Sequence, residues 1–393
     1  MKPIKLKSTI EKKIDAYSNR LIEISRFIHT NPEIGFKEYK SSEILIKELQ
    51  GLGFAVQRGT AELATAFKAE FSGKNGGPVI AFLAEYDALP GIGHACGHNL
   101  IAAASLGAGA AVQSIIGNLR GTVCVIGTPA EEGGGGKIKM MEKGFFDDVD
   151  ISMMIHPFHM TYTFLPSMAV KLIEFVFHGK AAHAAVRPQE GRNALDAVVQ
   201  TYNAINSLRP HLPNDTRIHG IITDGGQAPN IISERAAIKY AVRTTQQDYL
   251  PELLENVICC ARGAAMASRT DLEINKSGIE YASLKNNLTI EKLLRKNLHY
   301  LSIEIQRANN AVAEMGSLDM GNISRKMPSA HPFLAICNDS APHTELFKKA
   351  AISGSGHEMM LKGAKLLAYT AVDLLYDTDL YQRAKKDFER SEL

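Results

Sequence analysis

A cysteine and a histidine stand two residues apart in His94-Ala95-Cys96-Gly97-His98-Asn99. A thiolate and an imidazole so spaced, in a glycine-containing loop, can converge on one cation, and the mixture of sulfur and nitrogen suits zinc and its neighbours. The same segment also fits a buried cysteine flanked by helix-capping residues. Two adjacent carboxylates, Glu131 and Glu132, precede the run Gly133–Gly136. Paired acids can divide the work, one ligating a metal while the other takes a proton from water. Acidic residues also gather at helix amino termini for electrostatic reasons alone. His156 precedes Pro157, and two late histidines stand in Pro342-His343-Thr344-Glu345 and Gly354-Ser355-Gly356-His357. Singly, each histidine fits an ordinary hydrogen-bonded role. Together, Cys96, His98, Glu132, His156 and one late histidine make five ligands with one shared bridge. That is enough for two ions about 3.5–4 Å apart, and Glu131 is left over.

These residues need a frame that brings them to one place. Ile10, Ile14, Tyr17, Leu21, Ile24 and Ile28 recur at helical spacing, and a second helix is expected from about Ser41 to Leu49. Three strand-like runs follow, FAVQ, TAFKAEF and PVIAFLAEY, the last after a GKNGG turn. A buried helix from His98 to Ile116, the apolar run TVCVIGT, a glycine-rich turn with a helix, and the strand ISMMIH complete the first part. Continuous apolar strands alternating with helices predict an α/β catalytic domain, a largely parallel mixed sheet with flanking helices. Ligands of such sheets sit beyond the carboxyl ends of the strands. Asp87, Glu131 with Glu132, and His156 all follow strand ends. From Met168 the order changes to strand, helix, strand, strand, helix, strand, which resembles the split ferredoxin-like α+β sandwich. The expected domains are therefore 1–167 and 284–393 as the catalytic part, with 168–283 as an inserted lid and dimerisation domain.

The bulk properties fit a globular enzyme. The chain has 393 residues, 45% hydrophobic and 22% charged, with a formal net charge of +2. That length suggests two domains, and the near-neutral charge argues against a nucleic-acid or anionic-membrane partner. The amino terminus, MKPIKLKSTIEKKID, lacks the apolar core of a secretory signal. Five cysteines, an odd number, argue for a reducing cytoplasm over a disulfide framework.

The motifs HTNPEIGFKEY (29–39), EYDALPGIGHACGHN (85–99), GTPAEEGGGG (127–136), IHP (155–157), HGKAAHAA (178–185), GGQAPNIISE (225–234) and PHTELF (342–347) carry a resemblance over nearly the whole chain. It resembles the dinuclear metallopeptidases that include aminoacylase, carboxypeptidase G and succinyl-diaminopimelate desuccinylase. Within them it looks most like the amidohydrolase branch, nearest to aminobenzoyl-glutamate hydrolase and the dipeptidase acting on β-alanyl-lysine. The resemblance implies hydrolysis of an amide bond in N-acyl or aroyl amino acids or small dipeptides that carry a carboxylate. It implies two divalent ions per chain, Zn²⁺ or Mn²⁺, with Co²⁺ or Ni²⁺ also suited to the donors. Cys96 would bridge the ions, with His98, Glu132, His156 and a late histidine as the other ligands. His343 is favoured for the late position, and His357 is held in reserve there and as a substrate contact. Glu131 would be the general base and Asp87 would orient the site. Glu85 stands where other branches have a metal-binding histidine, and an ordinary structural role is the expectation for it. In the inserted domain, His183 would stabilise the oxyanion, Asn230 and Arg243 would hold the substrate carboxylate, and the domain would form a homodimer interface.

Three rival readings remain at this level. A non-catalytic member of the same fold would bind metal or ligand without turnover. A thiol enzyme would use Cys96 with His98 as base. A structural zinc protein would need a closed tetrahedral site.

Overall fold

The computed structural model describes residues 3–276, 278–306, 316–338 and 340–390. The chain divides into two compact units: Met1–Pro166 with Leu284–Glu314 and Asp319–Leu393, and Ser167–Ser283 with Met315–Leu318.

The first unit begins with helices α1 (Pro3–Thr30) and α2 (Tyr39–Gly51) and strands β1 (Ala55–Arg58), β2 (Phe67–Ser72) and β3 (Lys74–Ala84). Helix α3 (His98–Ile116), β4 (Arg120–Gly127), α4 (Gly136–Glu142), β5 (Ile151–Met153) and β6 (His156–Phe158) follow. The second unit holds β7 (Ala169–His178), α5 (Ala194–Leu208), β8 (Arg217–Asp224), β9 (Arg235–Thr244), α6 (Leu250–Ser268) and β10 (Asp271–Asn275). The first unit then resumes with α7 (Leu288–Tyr300), α8 (Met320–Lys326), β11 (Ser329–Ala330), β12 (Phe333–Ala335), α9 (Glu345–Ala350), α10 (Gly354–Tyr376) and α11 (Thr378–Arg390).

The main sheet of the first unit runs β1-β2-β4-β3-β5-β11. Its β4-β3-β5-β11 part is parallel, and β1 and β2 add an antiparallel edge. Buried strands of this kind carry unbroken apolar runs, and Ile80 to Ala84 and Val123 to Ile126 are fully enclosed. Helix α3 packs on β3 and β4 and is covered in turn by α1 and α10. By length and composition α3 passes for a membrane span, yet it is enclosed almost along its whole length. Its glycines make that packing possible. A Cβ on Gly109 would come within 2.3 Å of Val125 Cγ2, and one on Gly107 within 2.8 Å of Leu21 Cδ1. Helix α1 buries Ile10, Ile14, Leu21, Ile24 and Ile28, the stripe its sequence spacing predicts.

In the second unit the sheet runs β10-β7-β9-β8, antiparallel throughout. Ile173, Phe175 and Phe177 of β7 and Ile238, Tyr240 and Val242 of β9 share a core with Val198 and Ile205 of α5 and Leu253 and Val257 of α6. Alternate strand residues thus cover one sheet face with the two helices. Helix α5 begins five residues later than the sequence suggests. Asn193 caps it by accepting from Leu195 N–H, while Pro188–Glu190 forms a separate 3₁₀ turn.

The run ISMMIH is one strand by pattern but two in space. Met154 and Ile155 separate β5 from β6, and the pieces pair with β11 and β12 respectively. The break matters because it starts β6 on His156.

Candidate metal centre

The polar residues that follow the carboxyl ends of β3, β4 and β5 meet the loop before α3 and the loop before α9. Gly97 makes the first turn possible. It adopts φ +82°, and a Cβ there would lie 2.9 Å from Pro157 Cγ. His98 follows as the first residue of α3 and is fully buried. Its Nδ1 lies 3.0 Å from both the carbonyl and the Oδ1 of Asp87. Both neighbours are acceptors, so Nδ1 carries the proton and Nε2 presents its lone pair to the other side. The second oxygen of Asp87 accepts from Glu132 N–H at 3.0 Å. Asp87 therefore orients the imidazole and the Glu131–Glu132 turn together. Burial opposes its ionisation, but His98 beside it and the Glu132 N–H hold its carboxyl below the ordinary value.

His156 is oriented in the same way. Its Nδ1 donates to Pro157 O at 2.7 Å, and its Nε2 lies 3.6 Å from Cys96 Sγ. His343 adopts φ 69° and donates its backbone N–H to Ala95 O at 2.8 Å. Its Nε2 reaches 3.4 Å from Glu132 Oε2. The ligand atoms gather in three overlapping sets: Cys96, His98 and His156; Cys96, Glu132 and His343; and His98, Glu131 and Glu132. Cys96 is common to the first two. His357 belongs to none of these sets. It is 4% exposed, and Arg26 and His29 press its ring toward the neutral form after burial has done most of that work.

The donors fit divalent cations. Two nitrogen or oxygen ligands on a tetrahedral ion with bonds of about 2.0–2.1 Å are about 3.3–3.4 Å apart, and a sulfur–nitrogen pair about 3.6 Å. The Glu132–His343 and Cys96–His156 separations of 3.4 and 3.6 Å match those spacings. Buried His98 Nε2, Glu132 Oε1 and Glu85 Oε2 have no hydrogen-bond partner. Such atoms are costly to leave unmatched in a dry interior. The charges point the same way. Glu85, Asp87, Glu131, Glu132 and Asp319 crowd the region. Against them stands Lys137, whose Nζ lies 2.5 Å from Glu85 and 2.7 Å from Asp319. Burial, then the charges of Glu85 and Asp319, push the Glu131 carboxyl well above the usual range. Burial likewise pushes the Cys96 thiol up. Cations placed here reverse both tendencies.

Nothing in the sequence marks Lys137 and Asp319 as parts of this centre. A lysine in the first turn of a short helix and an aspartate before another give no signal until the fold brings them together. Asp319 also accepts from Lys137 N–H at 3.1 Å, so it anchors α4 behind the glycine-rich turn.

The remaining residues of interest belong to the second unit. His183 and Asn230 lie side by side: Ala184 donates to Asn230 O, and His183 bridges Ile231. His183 Nδ1 accepts from Ala185 N–H at 3.3 Å, and the ring is exposed. Arg243 is half-buried on β9. It donates to Ser317 Oγ at 2.8 Å, and its Nε has no partner.

The protein Xaa-Arg dipeptidase of Mus musculus is 37% identical to this chain over 98% of its length and 92% of the relative's. A p-aminobenzoyl-glutamate hydrolase of Escherichia coli is 30% identical over 97% of the chain and 94% of its own length. Among solved structures, a dinuclear metal-binding peptidase of Bacillus subtilis shares the fold with a TM-score of 0.75 at 23% identity, covering 92% of this chain and 99% of its own. A model of peptidase family M20/M25/M40 matches residues 81–372, the span from β3 to α10 that carries every metal-facing residue described above. By that match and by its relatives, the chain belongs to peptidase family M20/M25/M40 and is a hydrolase of amide bonds.

Proposed function

We propose that the chain is a metal-dependent amidohydrolase that cuts N-acyl or aroyl amino acids or small dipeptides bearing a free carboxylate. The observation that carries this reading is the pair of ligand sets sharing Cys96, with Glu131 beside them. Cys96, His98, Glu132, His156 and His343 would hold two divalent ions, Zn²⁺ or Mn²⁺ by donor type. Bound there, such ions supply Lewis acidity and make water a ready nucleophile at neutral pH. Glu131, 13% exposed and 4.0 Å from His98 Nε2, takes the proton of the attacking water and returns it to the leaving amine. Asp87 keeps His98 and the Glu131–Glu132 turn in register throughout.

The second unit serves as lid in this reading. His183 donates to the carbonyl oxygen as negative charge develops, and Arg243 with Asn230 holds the substrate carboxylate. Support comes from the lack of an acidic partner for Arg243 among the described residues. A homodimer through this unit is supported by exposed Ile221 and Ile222 on the edge strand β8 and exposed Val199 and Tyr202 on α5. The free thiols of Cys124, Cys259, Cys260 and Cys337 support a reducing, cytoplasmic setting.

The test is hydrolysis by metal-depleted protein reconstituted separately with Zn²⁺ and Mn²⁺. The panel holds aminobenzoyl-glutamate, hippurate, acetyl-amino acids, and dipeptides ending in Lys, Arg, Leu or Glu. Metal-dependent cleavage of one class is expected. Metal binding with silence across the panel would favour the non-catalytic reading, and activity that survives chelation would favour the thiol reading.

A further inference from the structure

We propose that Glu85 is a direct carboxylate ligand of the ion held by His98, presented by a lysine clamp. The inference rests on the metal-dependent reading above and adds a ligand to it.

Glu85 leaves the end of β3 and is 1% exposed. Its two oxygens have different surroundings. Oε1 accepts from Lys137 Nζ, and that ammonium also donates to Asp319 Oδ1. Oε2 has no hydrogen-bond partner and lies 3.4 Å from His98 Nε2, which has none either. The proton of His98 is on Nδ1, facing Asp87, so two lone pairs confront one another across that gap. Left alone, the pair is repulsive and dry. With a cation between them it is satisfied, and 3.4 Å is the spacing of two ligand atoms on one ion with bonds of about 2.0–2.1 Å. It equals the Glu132–His343 separation in the same centre.

Lys137 explains why the oxygen can be aimed so closely. A carboxylate ligand is normally fixed by a hydrogen bond to its other oxygen. Here that bond comes from a fully buried ammonium, itself fixed by Asp319. Glu85, Lys137 and Asp319 come from the end of β3, the first turn of α4 and the start of α8. One carboxylate is thus pinned by three separate segments, and the freedom to swing away from the ion is removed.

The experiment is titration of metal-depleted full-length protein with Mn²⁺ and with Zn²⁺ alone, reading bound ions per chain and affinity by chelator competition. Far-ultraviolet circular dichroism and thermal melting of the metal-free proteins serve as controls of folding. For Glu85→Gln, one of the two ions should weaken by roughly 10–100-fold or more, the other remaining near wild type. Glu85→Asp keeps the charge but withdraws the oxygen by one methylene. It should weaken the same ion and change the visible absorption of the Co²⁺-loaded protein, which reports ligand number. If Glu85→Gln binds both ions as wild type does, the proposal is wrong. It is equally wrong if Glu85→Asp restores wild-type affinity with an unchanged Co²⁺ spectrum, since charge alone would then suffice. Should the Gln variant not fold, the Asp variant decides. Failure of the wild-type chain to bind metal would instead overturn the underlying reading.

Discussion

The cluster at the strand ends and the polar loops of the second unit satisfy their atoms in opposite ways. At the strand ends, buried nitrogens and oxygens face one another without partners. In the second unit, His183 is exposed and its Nδ1 already accepts a backbone N–H. A dry, unmatched group is tolerated only where something else completes it, so the first region reveals its ligand class in its own geometry. A wet, matched group is comfortable in any case, and its part in chemistry must come from elsewhere.

That contrast is tested most severely at Cys96. Cys96→Ala removes the atom common to both ligand sets, and bound metal measured by elemental analysis should fall below two ions per chain, with activity at background. Full metal content would show that the sets do not share a bridge. Glu131→Gln should keep metal and fold yet lose roughly 10²–10⁴-fold in turnover, the usual worth of a positioned base. His183→Ala should keep metal and fold too, with kcat lower by about 10²–10³-fold if it donates to the oxyanion. Wild-type kcat there would leave that loop a purely structural part.

Smaller effects separate the two regions further. A metal at one hundred times its Kd adds about 2.7 kcal/mol to the unit that binds it. Calorimetry with and without chelator should therefore shift the transition of the first unit and leave the second in place. The second unit has its own pH handle in Asp215. Burial opposes its charge, but the hydroxyl and N–H of Thr245 and the hydroxyl of Thr244 hold its pKa below the ordinary 3.8. A depressed carboxylate stabilises the folded state above the unfolded pKa and ceases to do so as pH falls through the folded value. Asp215→Asn should thus cost about 1 kcal/mol at neutral pH, and the difference from wild type should shrink below pH 4. A constant difference at all pH values would remove the charge from the account.

Much of the frame is legible in the sequence because it rests on long periodic segments. Helix α3 begins and ends where its apolar run does, and the strands of the second unit follow their alternating patterns. Strands β11 and β12 are two and three residues long, too short for any period to show. They exist because β5 and β6 offer them edges. The meeting of Cys96, His98, Glu132, His156 and His343 is legible because each follows a strand end or sits in a short motif. Glu85 is not legible as a metal-facing group. Its role depends on Lys137 and Asp319, which are far apart in the chain and ordinary in composition. His357 shows the converse, since a glycine-flanked histidine reads like a ligand and is instead packed beside His29 and Arg26.

The chain order of the centre has a consequence for biosynthesis. The second unit lies between His156 and His343, so a ribosome must make all of it before the last ligand of the Glu132 set emerges. At 5–20 residues per second this takes roughly 10–40 s. Until then the nascent first unit carries Cys96, His98 and His156 but not His343, and it lacks β11, β12 and α10 to close around them. Stable metal capture becomes a signal that synthesis has passed His343, and a prematurely ended chain would be left with exposed thiolate and carboxylates for the cell's proteases to find.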